Sequence, residues 1–297
     1  MLLFLFLTGP APAPAIAAAV NEQVVDCQNK PLIGKGSGIG IAVQNKTGVI
    51  VRNCIVRGFE LGLLVENSAR VLVRDSDFSG NYVDDNSALE LGDDYPRGGV
   101  LFRNVTFSTI EHIKAEGNLA AVQIIGGHHN IVRNSDLNRN RGWGIRLLNS
   151  PNNLISENVA NYNNRSCWSG PDSGCESAGL AIVNSHFTMV TGNVFNSNGD
   201  GIYQGNTWER ASHNGSFFFN TLNGNVANGV EATFSHDNRF VGNEVRNNNY
   251  GFWLGYASFD LVSGNTVLGN HTRALQADEG HDIVVTNNAG VDATALK

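Results

Sequence analysis

Apolar residues recur along this chain at alternate positions of short runs, and each run opens on glycine or alanine. The runs read GIAV from Gly40, GLLV from Gly62, GVLF from Gly99, AVQI from Ala121 and GIRL from Gly144. They continue as GLAI from Gly179, GIYQ from Gly201, GVEA from Gly229, GFWL from Gly251 and ALQA from Ala274. Most successive starts lie 22 or 23 residues apart, and three intervals are longer by about 15, 13 and 6 residues. Between the runs stand further β-rich stretches, VIVRN, NLISEN, MVTGN, RFVGN and LVSGN, divided by Asn, Gly, Ser and Asp. None carries the 3.6-residue apolar period of a helix, so the pattern predicts short strands between turns. Self-similarity at a fixed period of this length marks stacked repeats, each burying its apolar face only against its neighbours.

About 22 residues with three short strands per unit predicts an all-β, right-handed parallel β-helix of ten or so coils. Counting each coil from its Gly or Ala as position 1, positions 2 and 4 are apolar in nearly every coil and face the core. Alternation sends positions 3 and 5 outward. Position 3 reads Ala42, Leu64, Leu101, Gln123, Arg146, Ala181, Tyr203, Glu231, Trp253 and Gln276. Glu231 thus has Tyr203 one coil below and Trp253 one coil above. A carboxylate between aromatic rings suits a sugar, whose apolar faces stack on rings while its hydroxyls meet polar groups. Inserts at 84–98, at about 164–178 and around Thr207–Ser212 enter or leave beside this column. Loops gathered on one face of a repeat scaffold predict a groove there.

The substrate-binding candidates are Gln123, Arg146, Trp253 and Gln276, with Tyr256 at the groove edge. Hydrolysis with inversion needs two carboxylates roughly 6.5–9.5 Å apart. Glu231 is the first, with a pKa that its aromatic neighbours should raise by desolvation. Asp278, with a Cα about 11–12 Å away by rung and residue spacing, is its expected partner, and Asp200 the alternative. A lyase or epimerase would instead use Tyr203 or a groove histidine as base, with Arg146 binding a uronate.

Other recurrent residues read as architecture. Asn53, Asn134, Asn158, Asn193, Asn220, Asn243, Asn265 and Asn288 mark one turn, and Asn81, Asn118, Asn140, Asn198, Asn225, Asn248 and Asn270 another. Stacked amides there can hydrogen-bond along the solenoid. His186, His213 and His236 recur at a further turn on consecutive coils. They are the alternative metal site, for copper, although rung spacing makes a ladder rather than a compact ligand set. The acidic stretch holding Asp84, Asp85, Glu90, Asp93 and Asp94 is an alternative calcium site without EF-hand spacing. The main expectation is no cofactor.

Residues 1–19 stand outside the repeat. LLFLFL followed by AIAAA reads as a signal peptide whose apolar run is too short to span a bilayer. Residues 20–297 are then a single β-helix domain, exported to the periplasm or beyond. Formal net charge is −7 with Lys and Arg scattered, so no nucleic-acid partner is expected. Cys27 with Cys54, and Cys167 with Cys175, are expected disulfides, since no CxxC or Cys–His cluster points to metal. Only short segments remain to cover the solenoid ends, and a monomer with loose caps is expected.

With these residues in view, GFWLGYASFDLVSGNTVLGN and similar repeats over about 24–288 resemble the right-handed parallel β-helix superfamily of pectate lyases, mannuronan C5-epimerases and NosD-like periplasmic proteins. The stretch DGIYQGN…NGVEATFSHDNRFVGNEV…YGFWLGY resembles secreted bacterial members presumed to be carbohydrate-active. The epimerases' Tyr-Gly-x-Asp-Pro-His strand falls on Asn228–Thr233. That resemblance places Glu231 where the family has its functional Asp and Thr233 where it has its proton-handling His. It implies a polysaccharide or oligosaccharide as partner, and the NosD likeness implies copper handling or protein maturation as the alternative role.

Overall fold

The computed structural model describes residues 23–82, 94, 96–164, 177–205 and 207–291. Within them the chain winds as a β-solenoid whose strands pair in parallel with equivalent strands one coil away. One sheet stacks ten strands in sequence order, from Ile39–Gln44 through Asp200–Gln204, Asn228–Ala232 and Tyr250–Trp253 to Arg273–Gln276. A second, from Gln23–Asp26 to Val284–Thr286, runs up the other side. The signal-peptide expectation and the pair Cys167 and Cys175 lie outside the described residues. Cys27 and Cys54 are disulfide-bonded across neighbouring coils, with Cα atoms 4.7 Å apart.

The repeat follows from what each position meets. Positions 2 and 4 fill a continuous apolar core from Val43 to Leu275. In that core Phe217 and Phe240 stack at 4.8 Å and Phe252 meets Phe240 edge-on at 5.7 Å. Position 1 is glycine because it also faces inward: a Cβ on Gly201 would lie 2.5 Å from the carbonyl oxygen of Gly229 on the next coil. Two consecutive inward residues leave the residue before the glycine, position 0, facing outward with position 3. The outer face therefore carries two columns, and strict alternation locates only one.

The asparagines satisfy the turns as ladders. Each backbone N–H donates to the side-chain oxygen of the next coil's Asn, from Asn81 to Asn118 at 2.8 Å and upward through Asn140, Asn163, Asn198, Asn225 and Asn248 to Asn270. Asn163 is a rung missing from the sequence-derived set. The second ladder runs from Asn158 to Asn288. Asn134 is one residue off it: Ser135 is the rung, its N–H donating to Asn158, and beside Asn53 it is Cys54 whose N–H donates to Ser76 Oγ on the next coil. Asn53 and Asn134 instead adopt φ of 53° and 49°, the left-handed region that asparagine tolerates.

Candidate functional site

The position-3 column forms as its spacing implies, with Gln123 beside Arg146, Ala181 beside Tyr203, Tyr203 beside Glu231, and Glu231 beside Trp253, which pairs with Gln276. Its two halves differ. From Leu64 to Ala181 the column is buried, and an apolar cluster including Leu119, Trp143, Leu148, Ala181 and Val183 reaches up to Tyr203. Arg146 and Gln123 lie inside this sealed stretch. Arg146 donates to Gln123 Oε1 at 2.9 Å and its guanidinium packs 4.8 Å from the Trp143 ring, while Gln123 Nε2 donates to the Arg97 carbonyl. Above Tyr203, which is 8% exposed, the face opens, and Glu231, Trp253 and Gln276 are half-buried.

The second outward column supplies what position 3 alone does not. Asp200 and Asn228 are its rungs, both buried. Asn228 donates its backbone N–H and its Nδ2 to Asp200 Oδ1, at 2.9 and 3.0 Å, and the same Nδ2 donates to Glu231 Oε2 at 2.9 Å. One amide thus ties two carboxyls together on the outer face. Burial pushes the Asp200 carboxyl up to about 7, against the bonds from Asn228 that lower it. Burial, then the neighbouring Asp200, holds Glu231 well above the ordinary carboxyl range. Two acids that resist simultaneous ionisation keep a proton at the site near neutral pH. Asn228 Oδ1 and Ser177 Oγ, both buried, have no hydrogen-bond partner; Ser177 accepts the Asp200 N–H at its carbonyl.

Asp278 stands apart from this pair: it is exposed and accepts a hydrogen bond from Gln276 Nε2 on the rim. Thr233, where the epimerase resemblance places a histidine, donates its hydroxyl to the Gly205 carbonyl at 2.6 Å. At the ends of the same strands the sequence reading missed two aromatic residues. Phe234 stacks on Tyr256, centroids 4.8 Å apart with planes within 4°, and Trp208 meets Phe234 at 5.0 Å. The signal was available, because Phe234 and Tyr256 occupy the turn held in earlier coils by Asn67, Asn104, Asn149 and Asn184, and Trp208 lies in the short insert.

The histidine column forms, but its nitrogens serve the turns. His186 and His213 stack at 5.0 Å, and His213 and His236 at 3.7 Å. Nδ1 of His186 accepts the backbone N–H of His213, and Nδ1 of His213 that of His236, each at 3.1 Å. A neutral ring accepting at Nδ1 carries its proton on Nε2, which leaves neither nitrogen of His186 or His213 a lone pair for copper. His236 Nδ1 lies 2.7 Å from Asp237. Among the described residues, no three His, Cys, Asp or Glu side chains come together as a metal site. Asp84, Asp85, Glu90 and Asp93 lie outside the described residues, and Asp94 forms an ion pair with Arg103 at 2.7 Å.

The fold defines a parallel β-helix protein, and its outer face brings two carboxyls close to stacked aromatic rings. The chain belongs to the NosD family, described as periplasmic copper-binding protein, which matches residues 37–210 and 172–294. Among curated proteins, no sequence matches it. A mutant of the periplasmic alginate epimerase AlgG is similar in structure, with a TM-score of 0.56 at 11% identity over 91% of this chain and 84% of that one. The Dettilon tailspike protein gives 0.55 at 12% identity over 87% of this chain, which spans 58% of the tailspike. PfbA, a surface adhesin of Streptococcus pneumoniae, gives 0.51 at 13% identity over 85% and 80%. At these identities the likeness is one of fold. Among the described residues no helix is long and apolar enough to cross a membrane, and the disulfide fits an oxidising compartment.

Proposed function

We propose that this chain is an exported, polysaccharide-active protein, acting as a monomer in the periplasm or outside the cell, with Asp200 and Glu231 as its acid–base pair. The observation that carries this reading is the Asn228 bridge, which holds two proton-retaining carboxyls together on the outer face that also carries Trp253. Hydrolysis of a glycosidic bond is the reaction that such a pair fits. The protonated carboxyl gives its proton to the glycosidic oxygen as the C–O bond breaks, and the ionised one bonds to the anomeric carbon as a glycosyl ester. Water then displaces that ester, freeing the second carboxylate and returning a proton to the first.

Both accepting oxygens lie 3.0 and 2.9 Å from one nitrogen. They are therefore closer together than the roughly 6.5–9.5 Å of an inverting pair, and nearer the 5–5.5 Å of a retaining one. Retention of anomeric configuration is the expected outcome with Asp200, rather than Asp278, as the partner of Glu231. Lyase or epimerase chemistry has less support: Arg146 is spent on Gln123 inside the sealed face, and Thr233 is no base. The proposed chemistry needs no cofactor. Incubation with a polysaccharide panel tests the reading, since hydrolysis yields new reducing ends without the unsaturated ends of a lyase. A Glu231→Gln variant with undiminished turnover rejects it.

Family membership favours a second reading, copper handling in the envelope. The nitrogens of His186 and His213 do not fit it as they stand. Metal analysis of gently purified protein, followed by titration with copper, is the direct check: micromolar binding that His186→Ala and His236→Ala abolish establishes this reading.

A further inference from the structure

We infer that Trp208, Phe234 and Tyr256 form a stacking rail for an uncharged polysaccharide whose chain runs along the solenoid axis past the Asp200–Glu231 pair. The inference rests on the proposed glycan-active reading and specifies its substrate class.

The rail is built against the local preference of its turn. Asn67, Asn104, Asn149 and Asn184 hold this turn at φ of 45° to 53°, and Gly126 holds it at 67°. Phe234 and Tyr256 adopt 55° and 56° there. Asparagine and glycine tolerate this left-handed region, whereas a bulky aromatic residue is strained in it. Phe107, Phe187 and Phe259 adopt 52° to 56° at another turn, so what marks Phe234 and Tyr256 is their face-to-face stacking beside Glu231 and Trp253 together with that φ. The rings do not repay the strain by filling the core. Tyr256 is 48% exposed and Trp208 is 69% exposed.

Position along the strands joins rail to acids. Phe234 follows Glu231 by three residues and Tyr256 follows Trp253 by three, with Thr233 and Gly255 between. A Cβ on Gly255 would lie 3.0 Å from Trp253 Nε1, so the indole leans over this glycine and no side chain separates it from the rail. The rail crosses three coils, as does the line Tyr203–Glu231–Trp253. A polymer lying between them runs across the strands, along the solenoid axis.

Charge selects the class of sugar. Asp200 and Glu231 stand at the centre, and Glu209, Asp278 and Glu279 are exposed around the rail; the nearby cations are Arg210 and Arg273. A polyuronate would bring further negative charge against this acidic surround. A neutral pyranose chain offers C–H faces for the exposed rings and hydroxyls for the half-buried Glu231 and Gln276.

Affinity electrophoresis of the full chain tests this with gels containing β-glucan, xylan or galactomannan, and with alginate or polygalacturonate. Retardation is expected in a neutral gel and not in the acidic ones. Phe234→Asn/Tyr256→Asn restores the residue that earlier coils use at the turn. It should melt higher than the parent protein yet bind about tenfold or more weakly, whereas Tyr256→Phe retains binding. Glu231→Gln should lose turnover and still be retarded. Retardation by the acidic gels alone, by no gel, or equally by the parent and Phe234→Asn/Tyr256→Asn overturns the rail. If the last result accompanies lost turnover in Glu231→Gln, the rail fails while the catalytic reading stands.

Discussion

The two halves of the outer face of the ten-stranded sheet share one backbone register and have opposite characters. From Leu64 to Ala181 the outward residues are sealed, and even Arg146 is buried against Trp143 and Gln123. From Glu231 to Gln276 the position-3 residues are half-buried and include an acid and an aromatic ring, with the buried Asp200 and Asn228 beside them. The inner face is alike throughout, a stack of Val, Leu, Ile and Phe. The repeat dictates only what must pack coil upon coil, so chemistry gathers where packing imposes nothing, on positions 0 and 3 of the upper coils.

The strongest way to break this comparison is to remove charge from the open half. Asp200→Asn and Glu231→Gln should each lower turnover by about 10²- to 10⁴-fold, the usual contribution of a positioned acid or base. Both variants should fold, because Asn–Asn contacts of this kind already hold the turn ladders together. Reducing-end assays with circular dichroism as a folding control read the effect. Arg146→Met in the sealed half should leave turnover per folded molecule within a few-fold of the parent, and a loss equal to that of Glu231→Gln would erase the distinction between halves.

On the inner face the same size of change should appear as stability. Phe240 stacks between Phe217 and Phe252 and is fully buried. Phe240→Ala should cost about 3–5 kcal/mol in chemical denaturation. A cost below 1 kcal/mol would mean that the upper coils are loosely packed and that the inner face is not uniform.

A smaller effect sharpens the contrast between two buried acids. Asp260 occupies a ladder rung above Asn238, which donates its N–H at 2.8 Å and its Nδ2 at 3.1 Å to Oδ1. Asp260 Oδ2 has no partner, and burial pushes this carboxyl up to about 7. Because the folded pKa exceeds the unfolded value, the group favours folding most below pH 4, and that contribution is lost as pH rises through about 7. Asp260→Asn removes the liability: a gain of about 1–3 kcal/mol is expected at pH 8, shrinking towards pH 4 and leaving turnover unchanged. Asp200→Asn should show the same pH trend in stability but lose turnover, which separates a structural acid from a functional one.

Much of this was legible in the sequence for a physical reason. A parallel solenoid repeats each residue's environment every coil, so Gly40 to Ala274 announce the strands and the register of Tyr203, Glu231 and Trp253 follows by counting. What counting misses is local backbone geometry. The inward turn of two successive residues at Gly201 puts Asp200 on the outer face beside Glu231, and simple alternation misplaces it. Asn134 and Ser135 show the same limit, since one residue of phase decides which is the rung. Tyr256 was legible at the groove edge, but Phe234 was overlooked because its place beside Tyr256 becomes visible in sequence only when their turn is aligned with Asn67, Asn104, Asn149 and Asn184.

The smallest expected effect concerns the histidine turn, where architecture and pH meet. His213 accepts the N–H of His236 at Nδ1 and stacks between His186 and His236. Protonation would set a second N–H against that donor. Burial, followed by the charges of His236 and His186, holds His213 down to about 4, against an ordinary 6.5. The folded state therefore binds fewer protons than the unfolded chain between these values. The contribution is fully present above pH 6.5 and is lost as pH falls through about 4, opposite in sign to that of Asp200 and Asp260. Asparagine could accept the same N–H through Oδ1 without titrating. His213→Asn should match the parent in melting temperature at pH 8 and exceed it at pH 4.5 by a few degrees, an effect kept small by the ring's partial exposure. Parallel melting curves across that range would show that the Nδ1 bond does not govern the acid side, and would return the histidine column to the metal reading for a fresh test.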